Sequence, residues 1–199
     1  FTMYYFVIGF CGMWRKKEKK ILIPQKTFAV IVAAHNEEQV IGQLIDNLHN
    51  LEYPKELYDI YVIADNCTDN TPLIAEQAGA IVCQRNNLEK VGKGFAMEWM
   101  FAKLFELERK YDAVAIFDAD NLVHPRFLLE MNNRLCKGDK LIQGYLDAKN
   151  PYDTWVSGTF AIAFWVIDHI WHLAKTNIGL SSVLGGTGMC ITTDVLKKH

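Results

Sequence analysis

Acidic side chains recur in this chain where short apolar runs end. The run 28–34 leads into Ala34-His35-Asn36-Glu37-Glu38, the run 58–65 ends in Asp65 ahead of Asn66-Cys67-Thr68-Asp69, and the run 112–118 ends in Asp118-Ala119-Asp120. As strands of one open parallel sheet, these runs deliver their loops to the carboxyl edge, where such sheets bind ligands. Carboxylates gathered there repel one another unless a cation or hydrogen-bond donors lie between them. Asp118 and Asp120 are two positions apart, so in extended backbone both side chains leave one face, with Cα atoms about 6.6 Å apart. That spacing suits a hard divalent cation, Mg2+ or Mn2+, which takes oxygen ligands from one or two carboxylates and completes its shell with phosphate oxygens. Each residue alone also has an ordinary reading. A D-x-D pair can be a solvated strand end or a helix cap, Glu37 a first-turn helix residue, Asp65 a turn former and Lys93 a solvated helix start.

The elements that must position these residues alternate in type. FAVIVAA (28–34), YDIYVIAD (58–65), AIVCQ (80–84), DAVAIFD (112–118) and KLIQGYL (140–146) read as strands, and CITT (190–193) as one more. Between them, 39–51 carries Val40, Leu44, Ile45, Leu48 and Leu51 at helical spacing. A helix over 72–78 is capped by Thr68 or Asp69 and stopped by Gly79. Residues 92–110 form the longest amphipathic segment, with Phe95, Trp99, Ala102 and Phe105 assigned to one face, and 124–135 forms a helix entered at Pro125. This order predicts an α/β fold, a mostly parallel sheet with helices on its faces.

Composition narrows the class. Half of the 199 residues are hydrophobic and 22% are charged, with a net charge of −2, which excludes disordered and collagen-like chains and disfavours a nucleic-acid partner. The five cysteines are scattered with no C-x-x-C spacing, so they read as reduced thiols rather than a disulfide framework or zinc site. Residues 1–14 carry no charge and are followed by RKKEKK at 15–20. Fourteen apolar residues fall short of the about 20 that span a bilayer, but they fit the end of a membrane anchor. Arg15, Lys16, Lys17, Lys19 and Lys20 then place the rest on the cytoplasmic side, with Tyr4, Tyr5 and Trp14 as interface anchors. A signal-peptide remnant or a buried terminal strand stays open as an alternative. The apolar stretch 155–174 contains Asp168, His169 and His172, which disfavour a second span. A core helix or a helix at the membrane surface suits it better.

Four segments in order, AAHNEE, VIADNCTDNT, VGKGFAM and IFDAD, resemble the nucleotide-sugar-binding half of family-two glycosyltransferases with the GT-A fold. The resemblance runs from about Phe28 to the end. It departs from the family's usual DDGSTDGT in Ala64, which replaces the first Asp, and in Asn66-Cys67, which replace Gly-Ser. It implies a Rossmann-like GT-A domain over 21–199, behind an anchor and basic run over 1–20. It also implies an inverting transfer of sugar from a nucleotide-diphosphate donor, UDP-linked, to a polysaccharide or lipid-linked acceptor. Ala34, His35 and Glu37 would line the nucleotide, Glu37 facing its ribose or base. Asp65 would hydrogen-bond the base, Lys93 would lie near the diphosphate, Asp118 would meet ribose or metal, and Asp120 would be the metal ligand. Gly186, Thr187 and Gly188, in a glycine-rich segment, would line the donor sugar and acceptor.

The family's catalytic base is an acidic residue in a motif beyond this glycine segment, so it is expected after His199, and the fragment is expected to bind donor but transfer sugar poorly. Asp194 reads instead as part of a helix opening. Two other classes remain: a nucleotidyltransferase, which would release pyrophosphate, and a non-catalytic nucleotide-sugar-binding module. A Rossmann dehydrogenase is disfavoured, because the first strand leads into HNEE rather than a glycine fingerprint.

Overall fold

The computed structural model describes residues 2–12 and 21–198. The basic run 15–20 and Trp14 lie outside the described residues, as do the side chains of Tyr4, Tyr5 and His169. In chain order the elements are α1 (Thr2–Gly12), β1 (Phe28–Ala34), α2 (Ile41–His49), β2 (Tyr58–Asp65), α3 (Thr71–Gln77), β3 (Ile81–Arg85), α4 (Lys93–Glu106), β4 (Ala113–Asp118) and α5 (Phe127–Cys136). There follow β5 (Leu141–Gln143), α6 (Trp155–Trp165) with a π-helical stretch over Val166–His172, α7 (Leu173–Asn177), β6 (Met189–Thr192) and α8 (Thr193–Leu196). Among the described residues two compact units result: residues 21–142 with 186–198, and residues 2–12 with 143–185.

The larger unit is built on a sheet of order β3-β2-β1-β4-β6-β5. β1 pairs in parallel with β2 and β4, β2 with β3, and β6 runs antiparallel to β4. Alternation along the strands divides the core. Phe28, Val30 and Val32 of β1 face one layer with Ile41, Leu44, Ile45 and Leu48 of α2 and Leu128 and Met131 of α5. Ala29 and Ile31 face the other, with Ala96, Met97, Met100 and Leu104 of α4. Helices therefore cover both faces, as the apolar periodicity predicts. Each fully buried Leu or Ile of α2 contributes about 1.5–3 kcal/mol relative to exposure, which fixes the helix and the loop before it.

The face of α4 differs from expectation. Ala96, Met97, Met100 and Leu104 are buried, whereas Phe95 and Ala102 are exposed. Apolar residues lie on both sides of this helix, so hydrophobicity alone does not select the inward one. Its aromatic flank is covered by cations instead, with Lys103 over Trp99 at 4.3 Å and Lys197 over Phe105 at 5.5 Å. At α3 the N-cap is Asn70, which makes no side-chain cap bond, while Asp69 Oδ1 accepts from the Thr71 amide at 3.0 Å.

In the smaller unit α1 packs on the π-helical stretch and α7, and a Cβ on Gly9 would stand 3.1 Å from Ile170. Asp168 is buried, and its Oδ2 accepts from the Leu146 amide at 2.9 Å. Among the described residues no helix is long and apolar enough to cross a membrane.

Candidate active site at the carboxyl edge of the sheet

The strand order reverses at β1, whose neighbours are β2 on one side and β4 on the other. This is the switch point at which open sheets leave a crevice. Register pairs Ala34 with Ala64 and Ala33 with Asp118, so Asp65 and Asp118 flank the end of β1 two strand spacings apart, on the order of 10 Å.

On the β2 side the chain turns through strained backbone. Asn36 and Asn66 directly follow the neighbouring segments 28–35 and 58–65 with φ of 55° and 51°. Such left-handed conformations cluster at functional sites, and asparagine tolerates them best after glycine. The departure of Asn66 from the Gly of DDGSTDGT is thus conformationally conservative. Asn66 also ties down the following loop, accepting from the Asn87 amide at 2.7 Å and donating to the Asn87 carbonyl at 3.1 Å. Asn36 Oδ1 accepts from the Thr68 amide at 2.8 Å, and Glu38 Oε2 accepts from the Asn70 amide at 3.0 Å, lacing the first two loops together.

Asp65 is 7% exposed and meets Arg85, 5% exposed, at 2.5 Å. Arg85 also donates to the Lys90 carbonyl at 2.7 Å, so one guanidinium braces both the carboxylate and the loop leading to Lys93. Arg85 is a residue of this edge that the sequence analysis does not single out. The rule that found the acids, reading what each strand ends in, reaches it once the third strand is extended by one residue past Gln84. Ala34 is buried at the end of β1, and His35 Nδ1 lies 2.7 Å from the Asp65 carbonyl. Glu37 is held through its backbone, its amide donating to Thr71 Oγ1 at 2.7 Å and its carbonyl accepting from the Ile41 amide at 3.0 Å. Burial pushes the Cys67 thiol above its ordinary pKa, leaving a small neutral group beside these loops.

On the β4 side Lys93, the first residue of α4, donates to Asp118 Oδ1 and, at 2.7 Å, to the Gly186 carbonyl. Thr187 Oγ1 accepts from the Asp118 amide at 3.1 Å. Lys93, Asp118, Gly186 and Thr187, four residues from three separate segments, are therefore brought together. Gly188 lies just beyond, buried ahead of β6. The extended geometry expected for Asp118 and Asp120 does not hold: β4 ends at Asp118, residues 119 and 120 form a turn, and the Asn121 amide donates back to the Asp118 carbonyl at 3.2 Å. Asp120 is consequently exposed at the rim, with Oδ1 accepting from Asn121 Nδ2 at 3.3 Å.

Among the described residues no three His, Cys, Asp or Glu side chains cluster as metal ligands. Two carboxylates, Asp118 at the strand end and the exposed Asp120 on the turn after it, fit Mg2+ or Mn2+, which take one or two carboxylates and leave the rest of the shell to water or phosphate. Asp194 sits at the opposite edge, where α8 begins, paired with Lys140 at 2.8 Å. Hydrogen bonds from Lys140 and then Thr192 hold its carboxyl at about 2, which makes it a weak proton acceptor.

Comparison with known proteins agrees with this architecture. A family model described as glycosyltransferase like family 2 matches residues 24–199. A beta-monoglucosyldiacylglycerol synthase from Nostoc sp. is 35% identical over 122 residues, covering 59% of this chain and 25% of that protein. The low-salt glycan biosynthesis hexosyltransferase Agl6 of Haloferax volcanii is 34% identical over 113 residues, with 57% and 25% covered. The matched part thus spans about a quarter of the length of these relatives. Among solved structures, the mannosyltransferase PcManGT from Pyrobaculum calidifontis, in complex with GDP-Man and Mn2+, superposes with a TM-score of 0.69 at 17% identity, covering 99% of this chain and 53% of that one. Glucosyl-3-phosphoglycerate synthase from Mycobacterium tuberculosis, in complex with Mn2+, UDP and phosphoglyceric acid, gives 0.56 at 21% identity, covering 86% and 57%. With its GT-A sheet and the family match over nearly all of its length, the chain belongs to the glycosyltransferase family 2 group.

Proposed function

We propose that this chain carries the donor site of a glycosyltransferase that moves a sugar from a nucleotide-diphosphate donor, UDP-linked, to a saccharide or lipid-linked acceptor, with inversion at the anomeric carbon. The observation that carries this reading is the convergence of Lys93, Asp118, Gly186 and Thr187 at the end of β4, across β1 from the buried Asp65–Arg85 pair. One side of the switch point offers a carboxylate to the N–H edge of a base. The other offers an ammonium and two carboxylates to a diphosphate and its counter-ion.

In this reading Asp65, held by Arg85, accepts from the base, and Glu37 and His35 line the nucleoside. Lys93 transfers its ammonium from Asp118 to a phosphate oxygen when donor enters. A divalent ion on Asp120 and Asp118 would offset the charge that develops on the departing diphosphate. An acceptor hydroxyl attacks the anomeric carbon from the opposite side and gives up its proton to a general base that none of the residues assigned above supplies. The relatives named beta-monoglucosyldiacylglycerol synthase support a lipid acceptor, and the structures holding Mn2+ with GDP-Man or UDP support a metal-assisted nucleotide donor.

We also propose that the protein works at the cytoplasmic face of a membrane. Trp155 is 83% and Phe160 62% exposed on α6, and the sequence supplies five basic residues between 15 and 20 to match anionic headgroups.

Calorimetric titration of UDP with Mn2+ and then with EDTA, on the unaltered chain and on Asp120→Ala, tests the donor site. Metal-dependent binding that is lost in the variant is expected. Equal binding in EDTA, or full binding by Asp120→Ala, would remove the metal role. No nucleotide binding at all would overturn the reading.

A further inference from the structure

Asn121 has no role in any of the chemistry above, yet it is the junction of the β4 side of the site. Its Oδ1 accepts from the Asp118 amide at 3.1 Å and also from the Thr187 hydroxyl, while its Nδ2 donates to Asp120 Oδ1 at 3.3 Å. The Thr187 hydroxyl in turn accepts from the same Asp118 amide at 3.1 Å. One amide group thus touches the backbone of Asp118, the side chain of Asp120 and the glycine-rich segment at Thr187. The bonds are chemically consistent. The amide oxygen accepts two, the hydroxyl accepts one and donates one, and the amide nitrogen is left to orient Asp120.

We propose that Asn121 is a positioning residue for the donor site: with Thr187 it locks the turn after β4 so that Asp118 and Asp120 present their oxygens to one divalent ion, and it couples that turn to the segment over the donor sugar. The turn needs such a lock. β4 stops at Asp118, so the sheet ladder no longer holds Ala119 and Asp120, and an exposed carboxylate on an unbraced turn would lose more freedom on taking up the metal. The inference rests on the donor-site reading and extends it to a residue that touches neither nucleotide nor, by its own oxygen, the metal.

The test measures the Mn2+ concentration that half-saturates UDP binding in the unaltered chain, Asn121→Ala, Asn121→Asp and Thr187→Val. UDP affinity in EDTA and amide exchange at Asp118 are followed alongside. Removing groups that orient metal ligands typically costs roughly 10–100-fold in metal affinity, so Asn121→Ala is expected to raise the half-saturating Mn2+ at least about tenfold. UDP affinity in EDTA should stay within about twofold, because the base side of the site is untouched. Asp118 amide exchange should accelerate. Asn121→Asp keeps the two acceptor bonds and should restore slow exchange at Asp118, whereas a general loss of packing would not be rescued. In the double variant Asn121→Ala, Thr187→Val, measured in the same way, the two effects should be non-additive, since both substitutions break one ring of bonds. An unchanged Mn2+ requirement in Asn121→Ala, or a loss of UDP affinity in EDTA by the same factor, would overturn the inference alone. Absence of metal-dependent UDP binding by the unaltered chain would overturn the donor-site reading and this inference with it.

Discussion

Arg85 and Asp65 bury a pair of opposite charges beside the crevice, with both side chains under a tenth exposed. Two charges leave water at this position, and their desolvation is offset only while each keeps the other and its further bonds. The pair is therefore better understood as a device for orientation than as a source of stability. Truncating one partner strands the other, which typically costs about 3–5 kcal/mol. Arg85→Ala is expected to lower the denaturation free energy by roughly that amount in urea titration. Asp65→Asn, which keeps the shape and removes the charge, should weaken UDP binding while costing less stability than Arg85→Ala. If Arg85→Ala unfolded with the midpoint of the unaltered chain, the pair would not be the brace that its geometry describes. The same distinction explains why Asp194, although the last acid of the chain, carries no part of the proposed chemistry: it is paired with Lys140 and stands on the far edge of the sheet.

The elements decide which of these side chains meet. Gly92, the N-cap of α4, has φ 114° and ψ 161°, a region open essentially to glycine alone, and this conformation aims Lys93 at Asp118 and Gly186. A Cβ at Gly92 would meet nothing within 4 Å, and the same holds at Gly94, but only Gly92 has a positive φ. Gly92→Ala is thus expected to cost about 1–3 kcal/mol through backbone strain. Gly94→Ala, inside the first turn of the helix, should instead be neutral or stabilise by up to about 1 kcal/mol. Thermal denaturation of the two variants side by side checks this, and equal destabilisation would refute the assignment of strain to Gly92. The strands carrying the site were legible in sequence because buried parallel strands are continuous apolar runs. β1 and β2 have the expected ends, and the acids therefore fall at the expected edge. The inward face of α4 was not legible, because Phe95, Trp99 and Phe105 compete with Met97, Met100 and Leu104 and only the sheet's shape chooses between them. The turn at Asp120 was equally hidden, since a D-x-D spacing does not say where β4 stops. Arg85 and Asn121 escaped for a related reason: their importance lies in partners 20 and 66 residues away in sequence, Asp65 and Thr187.

At the scale of the whole molecule the two units differ in surface chemistry. The sheet unit exposes the ordinary mixture of charged and polar groups, whereas the helical path from Trp155 to Asn177 includes Asp168 and Lys175 as its only Asp, Glu, Lys or Arg residues. Asp168 is buried, and Lys175 lies over the Trp171 ring at 4.4 Å. Ile162, Phe164, Ile167 and Ile170 are exposed along with Trp155 and Phe160. A helix apolar on every side is normally covered by protein or by lipid, and so large an exposed apolar area on a soluble surface marks an interaction site. The five basic residues that the sequence carries between 15 and 20 favour a lipid surface carrying negative charge, with each lysine or arginine near the headgroups contributing about 1 kcal/mol. The chain is expected to co-sediment with vesicles of phosphatidylcholine and phosphatidylglycerol, more weakly with phosphatidylcholine alone, and less at high salt because the basic contribution is screened. The double variant Phe160→Ser, Ile162→Ser should lose most of this binding yet keep metal-dependent UDP binding, since neither residue belongs to the sheet unit. Retention of the unaltered chain in the supernatant at every lipid composition would remove the membrane from the proposal. Concentration-dependent self-association of the unaltered chain, abolished by the same double variant, would assign the apolar face to protein contacts instead.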